Sequence, residues 1–255
     1  MALLQINGLT HYFGGLRAVY DFNLDLNEGE LIGLIGPNGA GKTTVFNLIT
    51  GIYRPTEGAI QFNGHNLIGL QPHQIAAKGI CRTFQTIRLF SDVSVLDNVR
   101  IAFYSQIRSS LLETLLRAGR TLEEDRTFAQ EAMRLLEIFN VGRYAHELAR
   151  NLPYGEQRRV EIARALATKP RVLLLDEPAA GMNPGEIDHL MDLIYYIRDE
   201  FQLTIFLIEH QMRLVMRICE RIKVMDFGKT IAEGACDEVR TNPKVLKAYL
   251  GEEVA

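Results

Sequence analysis

Three short runs of the chain are almost wholly apolar, and each ends in glycine or in polar residues. They lie at residues 30–36, 171–178 and 203–210. A continuous apolar run suits a strand that is buried on both faces, as in a parallel sheet covered by helices. Amphipathic helical patterns lie between these runs, at 42–51 and 187–200. This alternation predicts an α/β fold with a mostly parallel sheet.

Alternating apolar and polar positions mark further strands. Segments 3–13 and 18–30 read as strands that end in turns, and 58–67 reads as a hairpin that turns at Asn63-Gly64. These segments predict an antiparallel β subdomain beside the main sheet. Residues 221–234 read as two more strands, both at the sheet edge.

A helix-rich insert separates the two halves of the α/β pattern. Residues 121–141 carry an apolar stripe at helical spacing, and Thr121 with Glu124 matches a capping box at the start of that helix. We expect one domain over 1–255, in which a core of 1–85 and 160–255 carries a helical subdomain of 86–159.

Composition narrows the function classes. The net charge is −3, with 28 Lys and Arg against 31 Asp and Glu, so a nucleic-acid partner is not expected. The three cysteines form no CxxC pair, which disfavours zinc and suits reduced thiols. The amino terminus lacks a signal-peptide pattern, and no apolar stretch approaches the roughly 18 residues of a membrane span. We therefore expect no membrane span in the chain itself.

A glycine-rich loop follows the first apolar run and precedes a helix. Its sequence, GPNGAGKT at 36–43, matches G-x-x-x-x-G-K-[ST] in the strand–loop–helix context that the motif requires. Glycines let backbone N–H groups close round phosphate oxygens, and the helix amino terminus adds positive potential. Lys42 is expected to reach the β- and γ-phosphates of ATP, and Thr43 to ligate Mg²⁺. The predicted nucleotide contacts in this loop are Gly36, Pro37, Asn38, Gly39, Ala40, Gly41, Lys42, Thr43 and Thr44.

The other two apolar runs supply acidic and imidazole groups. Asp176 ends the second run, where ligands of α/β sheets bind, and is a candidate Mg²⁺ ligand. Glu177 follows it and is positioned to polarise a water for attack on the γ-phosphorus. His210 ends the third run and should open on the same edge, as a γ-phosphate contact.

The order of motifs resembles a known family. The glycine-rich loop, Gln85, LPYGEQRRVEIARAL at 152–166, LLLDEP at 173–178 and His210 together look like the ATP-binding subunit of an ABC transporter. The resemblance covers essentially the whole chain and implies a P-loop NTPase fold of the RecA type. It implies a catalytic base at Glu177, a positioning group at His210, charge stabilisation by Lys42 with Mg²⁺, and ATP and Mg²⁺ as cofactors.

The resemblance also assigns roles outside the loop. Tyr154, Gly155 and Glu156 match the family signature, which caps a helix aimed at the γ-phosphate of ATP on the other subunit. Gln85 matches the glutamine that contacts Mg²⁺ and the attacking water. Phe13 matches the aromatic that stacks on adenine, with core packing as the alternative.

Three positions in and after the signature have alternative interpretations. Pro153 stands where serine is usual, so one γ-phosphate contact of the signature is in doubt. The departure also makes an ATP-binding scaffold without turnover conceivable. Arg158 and Arg159 follow on the same helix, where ordinary surface ion pairs are the alternative to a role in the site.

Finer features resemble one branch of the family. RTFQTIRLF at 82–90, DEPAAGMNP at 176–184, IEHQMRLVM at 208–216 and NPKVLKAYLGEE at 242–253 are similar to LivG-type ATPases of branched-chain amino acid importers. That branch implies a second ATP-binding subunit (another copy or a LivF-type paralogue), two membrane permeases, a periplasmic binding protein, and a peripheral place on the cytoplasmic face of the inner membrane. The alternatives are a lipopolysaccharide-export ATPase and, in another class, a soluble non-transport ABC ATPase.

Overall fold

A computed structural model of the chain describes residues 2–104 and 118–250. Contacts between residues divide these into two compact units, one formed by 1–82 with 171–255 and the other by 83–170. The second unit extends past the expected boundary at 159, because the signature helix runs unbroken from Tyr154 to Ala167. Among the described helices, none is both long and apolar enough to cross a bilayer.

The first unit is built on a six-stranded sheet in the order β10-β9-β3-β8-β7-β6. The strands β6, β7, β8, β3 and β9 run parallel, and β10 is antiparallel to β9. Their bounds are β3 Leu31–Ile35, β6 Ile80–Arg82, β7 Val172–Asp176, β8 Thr204–Ile208, β9 Arg221–Asp226 and β10 Lys229–Gly234. Every residue of β3, β7 and β8 is buried, which explains their unbroken apolar sequences. The predicted α/β fold with a mostly parallel sheet is confirmed.

A second sheet of the same unit is antiparallel, in the order β2-β1-β4-β5. Its strands are β1 Leu4–Phe13, β2 Leu16–Leu26, β4 Glu57–Phe62 and β5 His65–Asn66. Asn63 and Gly64 both take positive φ in the turn between β4 and β5, as the sequence predicts. Residues of the two sheets, among them Leu4, Phe22, Ile32 and Phe206, share one hydrophobic core.

The helices of the first unit follow the strands. They are α1 Lys42–Ile49, α2 Pro72–Ala77, α6 Pro184–Glu200, α7 Met212–Ile218, α8 Cys236–Thr241 and α9 Pro243–Leu250. Asn183 caps α6 by accepting from Glu186 N–H, and Pro184 occupies the first helical position.

The second unit is helical. It contains α3 Val95–Phe103, α4 Ala118–Ile138 and α5 Tyr154–Ala167, with short 3₁₀ turns at Gly142–Tyr144 and Ala149–Asn151. The inner face of α4 buries Ala132, Leu135 and Leu136, as the apolar stripe predicts. The prediction that a capping box at Thr121 starts this helix is wrong, because α4 already includes Ala118 and Thr121 lies inside the helix.

One strand prediction is wrong in a way that matters for the site. Residues 221–234 do form two strands, but only β10 lies at the sheet edge, whereas β9 lies inside the sheet beside β3. Its Ile222, Val224 and Met225 side chains are fully buried. This placement brings the end of β9 against the glycine-rich loop, which leaves β3 at the same end of the sheet.

Candidate nucleotide-binding and catalytic site

The glycine-rich loop of the first unit is held by close backbone packing. It connects Ile35, the last residue of β3, to Lys42, the first residue of α1. A Cβ atom on Gly36 would fall 2.1 Å from the Met225 carbonyl oxygen, and one on Gly41 would fall 2.4 Å from the Ala18 carbonyl oxygen. Both glycines also have positive φ. Only glycine fits these two positions, so the loop shape is set by the strands that surround it.

Lys42 bends back over the loop. Its Nζ donates to the carbonyl oxygens of Gly36, at 2.7 Å, and Pro37, at 3.0 Å. Burial lowers the pKa of Lys42, and the carboxylates of Glu177 and Asp176 oppose that shift by favouring the ammonium. The Lys42 side chain thus lies at the amino terminus of α1, where the helix dipole favours a bound anion.

Asp176 lies in a buried ion pair. Its Oδ2 accepts from Arg82 Nη2 at 2.5 Å, and Arg82 Nη1 donates to Asn47 Oδ1 at 2.7 Å. Arg82 ends β6 and Asn47 belongs to α1, so one guanidinium ties the end of β7 to the helix that follows the glycine-rich loop. Asp176 is itself the last residue of β7, as predicted.

Glu177 and His210 meet beyond the ends of two neighbouring strands. Asp176 pairs with Ile208 in register, and Glu177 N–H donates to the Ile208 carbonyl at 2.9 Å. Glu177 takes a left-handed backbone with φ of 47°, and its side chain remains 13% exposed. His210 Nδ1 lies 3.6 Å from Glu177 Oε2. The two predicted catalytic side chains are thus brought together.

Phe13 belongs to a cluster of aromatic rings. Its ring lies edge-on to His11, with centroids 4.6 Å apart, and edge-on to Tyr53 at 5.2 Å. The side chain is nonetheless 42% exposed. A side chain that only packs in the core would be buried, so this exposure disfavours simple core packing for Phe13.

The second unit carries the remaining predicted site residues. Tyr154, Gly155 and Glu156 form the first turn of α5, with Pro153 as the residue before it. Arg158 is not a surface residue: its fully buried guanidinium donates to the Gln85 carbonyl at 2.6 Å and to Glu161 Oε2 at 2.7 Å.

Arg158 also joins other parts of this unit. It donates to the Phe84 carbonyl at 2.5 Å and to the Tyr154 hydroxyl at 3.2 Å. The start of the signature helix is therefore tied to the segment that contains Gln85. Arg159 instead pairs with Glu156 at 3.3 Å, in the partly exposed manner expected of an ordinary ion pair.

Comparison with known proteins decides the family. A sequence model described as ABC transporter matches residues 19–180. The chain belongs to the ABC transporter family. A second model, described as branched-chain amino acid ATP-binding cassette transporter, matches residues 229–255.

Individual relatives and solved structures also support membership of the ABC transporter family. The chain is 46% identical over 250 residues to the high-affinity branched-chain amino acid transport ATP-binding protein BraF of Pseudomonas aeruginosa, and 47% identical to LivG of Salmonella typhimurium, each covering 98% of both chains. A lipopolysaccharide export ATP-binding protein, LptB of Haemophilus influenzae, is 34% identical over 99% of both chains and is the more distant resemblance. A solved ATP-binding cassette in its ADP conformation superposes with a TM-score of 0.84 at 29% identity, covering 99% of this chain and 100% of that one.

Two charged residues that contact predicted site residues of the first unit were not found from sequence. Arg82 and Glu209 are both buried there, and in the second unit the burial of Arg158 was likewise not predicted. For Glu209 a signal existed, since a carboxylate inside the apolar run at 203–210 must have partners if it is buried. Arg82 binds distant side chains, and Arg158 binds the distant carbonyls of Phe84 and Gln85 in addition to its neighbours on the helix, and no local pattern shows these distant partners.

Proposed function

We propose that this chain is the ATP-hydrolysing subunit of an importer for branched-chain, hydrophobic amino acids. The observation that carries the proposal is that one end of the parallel sheet gathers Lys42, Asp176, Glu177 and His210 around the glycine-rich loop. The transported solute is argued from relatives, because BraF and LivG are named for branched-chain amino acid transport and match over 98% of the chain.

The oxygen groups at this end of the sheet suit Mg²⁺. The donor set within the first unit is the Thr43 hydroxyl and the Asp176 carboxylate, both hard ligands. Within the described part of the chain, no three His, Cys, Asp or Glu side chains are grouped as metal ligands. Mg²⁺ in nucleotide sites is commonly held by one or two carboxylates together with substrate phosphates, so this sparse set fits it. When bound, the ion would neutralise charge on the phosphates.

The chain's own residues supply the rest of the chemistry. Lys42 would exchange its two loop carbonyls for phosphate oxygens, and the backbone N–H groups of residues 38–44 would surround the β-phosphate. Glu177 would accept a proton from the attacking water, and His210 would orient the γ-phosphate from the adjacent loop. Phe13 would stack on adenine.

The signature argues for a dimer. Tyr154, Gly155 and Glu156 open a helix whose dipole suits an anion, and we assign them to ATP on a second ATP-binding subunit, either another copy or a paralogue. ATP would favour the closed pair and hydrolysis would reopen it, which is how binding energy is coupled to transport. The proposed partners are two membrane permeases, with a periplasmic binding protein acting through them, at the cytoplasmic face of the inner membrane.

The test is transport in a reconstituted system. The chain is assembled with its membrane subunits, partner ATPase and binding protein in vesicles, and uptake of labelled leucine is followed together with phosphate release. We expect both to need ATP and Mg²⁺, and both to be abolished by Glu177→Gln while ATP binding persists. Unchanged phosphate release in that variant would contradict the base assignment. Hydrolysis without uptake of any branched-chain amino acid would contradict the proposed solute.

A further inference from the structure

Glu209 is a buried carboxylate for which the proposed chemistry has no direct use. It lies between Ile208, the last residue of β8, and His210, and its side chain is 0% exposed. Its Oε1 accepts from Ala179 N–H at 2.9 Å, and its Oε2 accepts from His210 N–H at 3.0 Å and Gln211 N–H at 3.3 Å. One side chain therefore joins two loops.

Those loops are the ones that carry the proposed catalytic groups. Ala179 is two residues beyond Glu177, and His210 is the neighbour of Glu209 itself. All three hydrogen bonds come from main-chain donors, so the carboxylate fixes backbone positions and not merely side-chain rotamers. Donors lie on opposite sides of this position. A carboxylate can bind them because it has two oxygens and both act as acceptors.

The hydrogen bonds of the Glu209 carboxylate, here called the bridge, connect the two chain segments beyond the last main-chain hydrogen bond between β7 and β8. Glu177 N–H donates to the Ile208 carbonyl, which is the end of main-chain pairing between the two strands. Beyond that point the Glu209 carboxylate accepts from Ala179 N–H and so connects the two segments again. Glu177 meanwhile holds a left-handed φ of 47°, a conformation that persists in non-glycine residues when the surroundings over-determine it. The ladder bond before it and the bridge after it supply that constraint.

A carboxylate at this place also has a cost. Burial raises the pKa of Glu209, and the three N–H donors oppose that shift. An apolar side chain would avoid the desolvation of a charge but would take away the acceptor of three N–H groups. The carboxylate satisfies all three and thereby fixes the geometry of the two loops.

We propose that Glu209 is a positioning residue for ATP hydrolysis, which sets the spacing between Glu177 and His210 by holding the backbones of their two loops. This inference rests on the proposed function, since it takes these two residues as the groups that act on water and the γ-phosphate. Glu209 touches neither substrate nor metal in this role and acts through its neighbours.

The test begins with Glu209→Gln in the full chain, assembled with its partner subunits. Glutamine keeps the shape but offers one acceptor oxygen, and its NH₂ group faces an N–H donor on the other side, so half of the bridge is lost. We expect kcat per nucleotide-binding site to fall about ten- to a hundredfold, as small misplacements of catalytic groups do. The affinity for a fluorescent ATP analogue should stay within about twofold, because the phosphate loop is not touched.

Glu30→Gln is the matched control. Glu30 is also a largely buried carboxylate, which binds Arg221 and the Asn27 backbone, but it precedes β3 and so lies at the opposite end of the sheet. The Glu30→Gln substitution should lower the melting temperature and leave kcat per binding site unchanged. If Glu209→Gln behaves in the same way, its role is only structural and the inference is overturned.

A double-mutant cycle adds a readout that a structural role would not move. If Glu209 acts through the loop of His210, then Glu209→Gln should cost clearly less in a His210→Ala background than in the wild type. Fully multiplicative losses would overturn the inference. Glu177→Gln distinguishes failure of the proposed function from failure of this inference. If the Glu177→Gln variant still hydrolyses ATP, the proposed base is overturned. If that variant loses hydrolysis while Glu209→Gln keeps a normal kcat, only the role of Glu209 is overturned.

Discussion

Replacing Gly41 by alanine tests whether strand packing shapes the phosphate-binding loop. Gly41 has φ of 102°, and an added Cβ would lie 2.4 Å from the Ala18 carbonyl oxygen and 3.3 Å from Met225 Cε. Gly29 offers a matched control, because its φ is also positive, at 78°, yet no atom lies within 4 Å of its Cβ position. The two substitutions share the backbone strain and differ in the collision.

The expected losses of stability follow from the backbone strain and from the collision of the added Cβ. An alanine in the left-handed region costs roughly 1–2 kcal/mol, which both variants should lose. Overpacking adds about 1–3 kcal/mol, and this falls on Gly41→Ala alone. At roughly 2–4 °C per kcal/mol for a chain of this size, Gly41→Ala should melt about 2–12 °C below Gly29→Ala.

Two assays decide the matter. Thermal unfolding followed by circular dichroism gives the difference in melting temperature, and titration calorimetry gives the dissociation constant for ATP. Gly41→Ala should also weaken ATP binding by about tenfold or more, or ~1.4 kcal/mol, since the loop must shift next to Lys42. Gly29→Ala should bind normally. Equal melting temperatures would refute the packing argument, and an unchanged affinity in Gly41→Ala would refute the assignment of the loop.

Three further predictions concern single groups. Lys42→Ala should raise the dissociation constant of ATP by about tenfold or more in calorimetry, because a charge-assisted contact is lost, and the exposed Lys78→Ala should not. Burial raises the pKa of the Cys219 thiol well above its usual value, so mass spectrometry should show no alkylation of it at mildly alkaline pH until the protein is unfolded; rapid native labelling would contradict this. Ser94→Ala removes the acceptor for Asp97 N–H at the start of α3 and should cost about 1 kcal/mol, or roughly 2–4 °C in melting temperature, whereas an unchanged melting temperature would deny that cap a role.

The fold was predictable where sequence pattern and burial coincide. The wholly buried strands β3, β7 and β8 give unbroken apolar runs, and the turn at Asn63-Gly64 needs positive φ at both residues. The place of β9 inside the sheet was not predictable, because strand order depends on pairing between distant segments. The start of α4 was missed since the spacing of Thr121 and Glu124 also occurs within helices, where the backbone donors are already bonded.

The candidate site also has parts that the sequence predicts and parts that it does not. The loop, the carboxylates and His210 follow from local motifs whose chemistry requires those residue types in that order. The supporting contacts do not, because Arg82 binds a residue 94 positions away and Arg158 binds carbonyls more than 70 positions away. Such pairs become visible only when the chain is folded, although a charge within an apolar run, as at Glu209, signals that a partner must exist.

The three carboxylates at this end of the sheet can be told apart by what already satisfies them. Asp176 is 2% exposed and engaged by Arg82, and Glu209 is fully buried and engaged by three N–H donors. Glu177 is the one of the three that keeps exposure, and its left-handed backbone displaces it from the line of the strand. A base that takes a proton from water must reach water, which supports the proposal that Glu177 is that base. A metal ligand gains from a fixed position, which suits Asp176, and a positioning group must not move at all, which suits Glu209.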